Sequence, residues 1–510
     1  MPTVHDIGGG LAGSEAAWQL AERGHDVVVH EMRPLVGTPA HRTDRLAELV
    51  CSNTFKSTET SNAHGLLKAE MRLLGSLVLE CADLARVPGG SALTVDRTIF
   101  SEAVHARVTS HPRIRIERGE ATELPSPGVV ATGPLTSSAL ADTIRTRLGL
   151  EALAFYDAIA PIVAHDSIDY DVVFRASRYG KETMNPVPVV PGERSATPII
   201  PSERSATPVI PSERSATPVI PSERSATPVI PSERSESRNR ARPDRASERA
   251  AGEGAYLNCP MSREQYEAFI DALTAADQAS AHDFDAIPYF EGCMPAEEMA
   301  RRGRETLRFG PMKPVGLRDP RTGREAYAVV QLRMEDRAGR MWNLVGFQTR
   351  LRYPEQQRVF RTIPGLENAE FLRYGSIHRN SYLNAPAALL PHLALRDDPR
   401  VLFAGQLTGV EGYTESTATG LLAGANLARL LAGEEPVLPP TSTMLGALYR
   451  YLREADPRHF QPMNANFGLV DELGERVRDK RAKKERLAER ALAAMTEWRD
   501  AHLLAATARS

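Results

Sequence analysis

The stretch VHDIGGGLAGSEAAWQLAERGHDVVVHE, Val4 to Glu31, decides the fold. Thr3–Ile7 reads as a short strand, and Gly8-Gly9-Gly10-Leu11-Ala12-Gly13 supplies the spacing GxGxxG. SEAAWQLAERG predicts a helix stopped by Gly24, and Asp26–His30 a second strand ending at Glu31. The glycines divide the work: a tight turn, close backbone approach to a pyrophosphate, and close helix–strand packing. The helix start then turns its free N–H groups toward phosphate. Glu31 lies 18 residues beyond Gly13, where a carboxylate meets a ribose 2′-hydroxyl. Asp6 is discordant, a charge on a strand expected to be apolar. Either the strand shifts toward an edge there, or the charge is tolerated near the ligand.

FAD, NAD and S-adenosylmethionine all use such a loop, and the far end of the chain discriminates among them. Val401-Leu402-Phe403-Ala404-Gly405 reads as a buried strand, followed by QLTGVEGYTESTATG and a small-residue helix, LLAGANLARLLAG, from Leu421. A second strand–glycine–helix unit returning to the first suits FAD, whose ribityl chain needs a second helix N-terminus. Gly405 and Gln406 join Gly8–Gly13 and Glu31 as candidate cofactor contacts. GVVATGPLTSSAL, Gly128–Leu140, adds another apolar strand ending in Ala131-Thr132-Gly133. The combination favours FAD.

At 510 residues with 42% hydrophobic content, the chain has length for two to four domains and ample material for a large core. Its 62 Lys plus Arg against 65 Asp plus Glu argue against a wholly basic nucleic-acid coat, though not against a local basic surface. Cys51, Cys81, Cys259 and Cys293 are the only cysteines; they form neither a disulfide scaffold nor a CxxC pair. No His, Asp and Glu cluster at ligand spacing suggests a metal. No leader-like or membrane-length apolar run is evident, so a soluble cytoplasmic protein with reduced thiols is expected.

Residues 191–230 are four decads, PGERSATPII and then PSERSATPVI three times. Two prolines per decad block helices and remove ladder donors, and two bulky aliphatics cannot cover a core. A disordered insert over 183–253, partly polyproline II, is the expectation; SRYGKE before it and GAYLNCPM after it read as two halves of one surface.

Further stretches carry a family likeness. They include LAELVCSNTFKS (46–57), NAHGLLKAEMRLLGSL (62–77), DAIAPIV (157–163), YLNCPM (256–261) and FEGCMPAEEMARRGRETLRFGPMKPVGL (290–317). NLVGFQTRL (343–351), GSIHRNSYLNAP (375–386) and LFAGQLTGVEGYTESTATGLLAG (402–424) complete the set. With GGGLAGSEAAWQLAERG and HEMRP (8–34), the chain resembles the bacterial folate- and FAD-dependent tRNA (uracil-5-)-methyltransferases. It departs from them at Asp6 and at the decad insert.

That resemblance implies an enzyme that methylates C5 of the T-loop uridine (position 54) of tRNA. The one-carbon unit comes from 5,10-methylenetetrahydrofolate and the reducing equivalents from FAD, recharged by NADPH or NADH. Such chemistry needs a thiolate to add to uracil C6, since C5 is otherwise a poor nucleophile, and a base for the C5 proton. The resemblance makes Cys293 the nucleophile and Cys51 the base. Cys81, on an apolar helical face, and Cys259, beside Pro260 and Met261, read as structural.

For folate, His378, Arg379 and Asn380 offer an imidazole to stack and polar groups for an edge or a glutamyl tail. tRNA is to be held through phosphates with its base extruded. Arg301, Arg304 and Lys313 beside Cys293 are the first candidates for that grip. RVRDKRAKKERLAER (476–490) ranks second, with eight Lys/Arg against three acids on a predicted helix.

The expected fold class is α/β. A Rossmann-like FAD-binding domain uses residues 1–155 and 335–435, an inserted smaller α/β substrate domain spans 156–334, and a helical C-terminal tail covers 436–510. No obligatory protein partner and no membrane association is evident. Two rivals stay open. One is a related flavoprotein that modifies the wobble uridine with a partner GTPase; the other is a non-catalytic, FAD-stabilised tRNA-binding protein.

Overall fold

The computed structural model describes residues 2–38, 40–149, 153–180, 254–279 and 294–504. The decad insert and Cys293 lie outside them.

The opening motif folds as its pattern predicts. A strand Val4–Ile7 leads through the glycine loop into a helix, Leu11–Ala21, and on to a strand Val27–Glu31. Gly24 takes φ +88°, the left-handed conformation that ends a helix without a Cβ penalty. These strands belong to a five-stranded parallel sheet in the order Val401–Phe403, Gly128–Val130, Val4–Ile7, Val27–Glu31, Ile114–Arg118. Val4–Ile7 is therefore central; of the strands expected from their apolar runs, Gly128–Val130 sits beside it and Val401–Phe403 lies beyond, at the edge.

The returning helix differs from expectation. It runs Tyr413–Leu431 and so begins before Leu421. Ser, Thr and Gly are poor helix formers in isolation. Here Thr417 and Thr419 donate their hydroxyls to the Tyr413 and Ser416 carbonyls, and packing against the loop helix overrides propensity. A Cβ on Gly420 would lie 2.2 Å from the Ala12 carbonyl oxygen, and one on Gly424 would lie 2.6 Å from that of Ala16. The two helices touch backbone to backbone.

A second sheet of six strands has the order Phe174–Arg175, Tyr256–Met261, Ala328–Met334, Met341–Leu344, Ile162–Ala164, Phe371–Arg373, antiparallel throughout. Helix Arg263–Ala275, started by a Ser262/Gln265 capping box, packs on it through Tyr266, Phe269, Ile270 and Leu273. Strands Leu153–Ile159 and Ser376–Tyr382 pair antiparallel as the ribbon into and out of this region.

Two large hydrophobic cores result among the described residues, with a small third cluster of Phe174, Leu317 and Val329. The first gathers the parallel sheet, its helices and the C-terminal helices Met444–Glu454 and Lys480–Arg499; the second gathers the antiparallel sheet. Residues such as Trp342, Phe347 and Phe360 pack in the second core, which therefore reaches past residue 335, because Met341–Leu344 pairs between two of its strands. Among the described residues no helix is long and apolar enough to cross a membrane.

Asp6 is not at an edge. It sits opposite Val29 on one side and Val129 on the other, fully buried, and among the described residues no side chain bonds either carboxyl oxygen; the Ala17 N–H offers weak support that burial outweighs. Burial pushes its pKa well above the ordinary aspartate value. We expect Asp6→Val to stabilise the fold by about 1–3 kcal/mol, the cost of an unpaired buried polar group. The folded state keeps its proton where the unfolded chain ionises, so wild-type stability falls as pH rises through the ordinary aspartate range. The advantage of Asp6→Val should therefore widen from acid toward neutral pH in urea melts. A constant gap would contradict the assignment.

Candidate active site

A cleft with about 1000 Å³ of empty space, part of it open to solvent, runs along the carboxyl ends of the parallel strands. Gly8, Gly10, Leu11 and Ala12 line it from the glycine loop, Thr132 and Gly133 from the midchain strand, and Gln406, Tyr413 and Ser416 from the returning unit. Both helices begin here without a side-chain cap, at Gly10 and at Gly412, so their first N–H groups are available to phosphate or ribityl oxygens.

The glycine roles separate cleanly. A Cβ on Gly13 would lie 1.9 Å from the Gly8 carbonyl oxygen, and one on Gly8 would lie 2.7 Å from that of Ala131, whereas one on Gly10 would meet nothing within 4 Å. Gly8 and Gly13 pack the loop; Gly10 leaves open space for a ligand. Gly405 belongs with the packing residues. Its N–H donates to the Thr419 hydroxyl at 2.8 Å, and a Cβ there would lie 3.1 Å from that of Ala12.

Glu31 ends its strand in the cleft, 5% exposed. It accepts the Gly9 N–H at 3.0 Å and a forked contact from Arg33, Nε to Oε1 at 2.9 Å and Nη2 to Oε2 at 3.0 Å. Burial opposes its ionisation, but Arg33 outweighs it and holds the carboxyl below its usual value. Burial, reinforced by Arg33, also pushes nearby His41 down to about 4, so that imidazole is neutral at physiological pH. Arg33 was present in HEMRP but had no assigned part in the sequence reading.

Cys51 is half-buried, in an irregular segment whose neighbour Val50 lines the cleft. The Tyr413 hydroxyl accepts the N–H groups of both Cys51 and Ser52, at 2.8 and 3.0 Å. Arg97 and Arg373 donate to carbonyls of the same segment. None of these three residues was legible as a site residue. Tyr413 stood in the quoted GVEGYTESTATG without a role, and the two arginines carry no local signal.

Cys81 and Cys259 are fully buried, and burial pushes the Cys81 thiol up to about 12 and that of Cys259 higher still. Asn380 is buried on the Ser376–Tyr382 strand; His378 and Arg379 share that strand, but their side chains lie outside the description. Arg301, Arg304 and Lys313 are all exposed. Arg304 pairs with Asp271, and Arg301 is 3.7 Å from Glu298. The basic C-terminal helix is laced with pairs, including Arg481–Glu485 and Lys483–Glu472. Among the described residues no group of His, Cys, Asp and Glu could hold a metal ion.

A parallel sheet with two uncapped helices opening into one cleft defines a Rossmann-type flavoprotein, and the open space at Gly10 and the carboxylate at Glu31 fit FAD. The family described as Glucose inhibited division protein A matches residues 3–191 and 224–435. The methylenetetrahydrofolate--tRNA-(uracil-5-)-methyltransferase TrmFO of Geobacter sulfurreducens is 51% identical over 495 residues, covering 96% of this chain and 98% of the relative. The protein of that name from Brevibacillus brevis is 47% identical over 492 residues, covering 96% and 97%. Among solved structures, Aquifex aeolicus GidA matches with a TM-score of 0.60 at 14% identity, covering 97% of this chain and 73% of that one, a likeness of fold. The chain belongs to the Glucose inhibited division protein A family and, within it, to the TrmFO group of methylenetetrahydrofolate--tRNA-(uracil-5-)-methyltransferases.

Two alanine substitutions separate packing from binding. Gly10→Ala should fold normally and lose FAD affinity by about tenfold, roughly 1.4 kcal/mol. Gly13→Ala should lower the melting temperature of FAD-stripped protein as well. Flavin-to-protein absorbance and thermal melts report the two effects. Equal melting losses in both variants would show that Gly10 also packs the loop.

Proposed function

We propose that this chain methylates C5 of the T-loop uridine (position 54) in tRNA, with 5,10-methylenetetrahydrofolate as one-carbon substrate, in the cytoplasm. The observation that carries the reading is near-full-length likeness to enzymes of that name, at 51% identity for the Geobacter protein. Its chemistry is supported by a dinucleotide cleft with the Cys51 segment tied to Tyr413 on the cleft wall.

Within Gly8–Gly13, Gly10, Leu11 and Ala12 would face FAD, with Glu31 at its ribose and Gln406 on the returning unit, while Gly8, Gly13 and Gly405 would serve it by shaping the loop and helix contact behind. Bound FAD, reduced by NADPH or NADH, supplies the hydride that turns the transferred methylene into methyl. The Cys293 thiolate adds to uracil C6, and the electron pair moved into the ring makes C5 the nucleophile toward the folate methylene. The Cys51 thiolate then takes the C5 proton, the C–H electron pair forms the C5=CH2 bond, and the methylene–nitrogen bond breaks to release tetrahydrofolate. Hydride addition to that methylene carbon returns the electron pair to the ring and expels the Cys293 thiolate from C6. Arg301, Arg304 and Lys313 would meet tRNA phosphates, and His378, Arg379 and Asn380 the folate. Arg304 must exchange Asp271 for phosphate to do so. The domain division that fits this chemistry assigns FAD to the first core.

Incorporation of labelled methyl into tRNA, with and without methylenetetrahydrofolate, tests the reading; folate-independent or absent transfer would sink it. Cys293→Ala should abolish the covalent adduct with 5-fluorouridine tRNA. Cys51→Ala should abolish methylation and keep the adduct. Loss of the adduct in Cys51→Ala would remove that residue from the base step.

A further inference from the structure

A groove away from the FAD cleft, with about 980 Å³ of empty space partly open to solvent, lies beside Phe174–Arg175, the edge strand of the antiparallel sheet. Arg175, Ser177, Tyr179, Gly316, Arg318 and Glu325 line it. Its two sides are anchored to each other: Phe174, next to Arg175, packs with Leu317, next to Arg318.

Tyr179 is the anomaly. Its backbone sits at φ +57° and ψ +27°, the left-handed region that a residue with a bulky side chain enters only at a cost. The side chain is 68% exposed, so its burial does not offset that cost. The backbone is held from outside. Tyr179 donates its N–H to the Gly316 carbonyl at 3.1 Å, and Arg178 donates Nη1 to the Val315 carbonyl at 2.7 Å and Nη2 to Gln331 Oε1 at 3.1 Å. One face of the ring lies on Gly316, where a Cβ would come within 2.8 Å of the ring carbon Cε1. Glycine is needed there for its own φ of +82° and for that contact. The other face of the ring is turned to water, a fixed aromatic platform.

The surroundings are basic. Arg175, Arg178 and Arg318 stand against Glu325, one of whose oxygens accepts the Gly316 N–H at 2.9 Å. Arg175 donates to the Gly254 carbonyl at 3.4 Å and lies 5.7 Å from the centre of the Trp342 ring. Among the described residues no ion pair or side-chain hydrogen bond engages Arg318. Further out, Lys313 and Arg324 are exposed, while Arg321 is paired with Asp319 and has Asp171 in its field.

We propose that this groove binds a single-stranded stretch of tRNA, with one unpaired base stacked on Tyr179 and the adjoining phosphates met by Arg318 and Arg175. Every base has a π-face, so an aromatic ring beside guanidinium groups can hold a loop nucleotide without reading its sequence. The inference rests on tRNA being the substrate. It adds an aromatic contact that Arg301, Arg304 and Lys313 do not supply.

Equilibrium binding of unmodified tRNA to the FAD-bound full chain is the test, with methylation followed in parallel and thermal melts as the fold control. Tyr179→Trp should keep wild-type affinity and Tyr179→Leu should lose it about tenfold. Both keep a Cβ at the same φ and so carry the same backbone cost. Tyr179→Gly relieves that cost, so it should melt no lower than wild type and still bind about tenfold more weakly. Arg318→Gln should weaken binding and lower the slope of log affinity against log salt by about one. Equal affinity in the wild-type, Trp and Leu proteins would overturn the proposal; that pattern is expected if the groove serves a protein or another segment of this chain. A Tyr179→Gly protein that melts lower and binds as wild type would assign the ring to packing, and would overturn it as well. Wild-type protein that neither binds nor methylates tRNA would instead bring down the substrate reading, and this proposal with it.

Discussion

Backbone contact between two helices far apart in the chain governs the rest of this structure. The Leu11–Ala21 and Tyr413–Leu431 helices approach so closely that Gly420 and Gly424 have room for no side chain against Ala12 and Ala16. That approach brings both N-termini to the same end of the parallel sheet, at strands separated only by Gly128–Val130, and it is why one cleft can receive a long dinucleotide at two dipole ends. The small residues serve the contact first and the helix second. A sequence rich in Gly, Ser, Thr and Ala there costs intrinsic helix propensity, and burial of nearly the whole helix offsets it.

This also explains which parts of the molecule were legible in the sequence. The loop, its strand and its helix repeat local spacings that only a few structures satisfy, so Val4–Glu31 could be read residue by residue, including the left-handed stop at Gly24. The start of the returning helix was misjudged because its cause is not local: Tyr413–Gly420 is held by Ala12 and by hydroxyls bonding back to its own carbonyls. Asp6 was visible as an anomaly, but only the strand order, with Val29 and Val129 on either side, shows that it occupies the centre of the sheet.

The surroundings of Cys51 were illegible for a stronger reason. Arg97, Tyr413 and Arg373 come from positions 46, 362 and 323 residues away from the groups they hold, on a helix start, a helix start and a strand end. No periodicity links them. The irregular segment satisfies its backbone through side chains rather than through a ladder, which lets it sit at a cleft where a regular strand would have to continue.

Perturbed ionisation would have been a misleading guide in this fold, and the reason is physical. Burial drives up the carboxyls of Glu15, Glu70 and Glu297, Glu70 to about 8. Yet each is engaged in joining segments: Glu15 accepts the Leu77 and Val78 N–H groups, Glu70 those of Met444 and Leu445, and Glu297 that of Arg350 together with the Thr349 hydroxyl. Lys68, lowered to about 7 by burial, likewise bonds the Phe55 and His64 carbonyls. These groups cap helices and loops where donors and acceptors would otherwise be orphaned. None of them lines the cleft. Shifted groups cluster at active sites because those sites are buried and charged, but any long-range cap meets the same two conditions. What sets the Cys51 segment apart is its place on the cleft wall, held there by side chains from three distant elements. Geometry, more than burial, is therefore the criterion that picks it out.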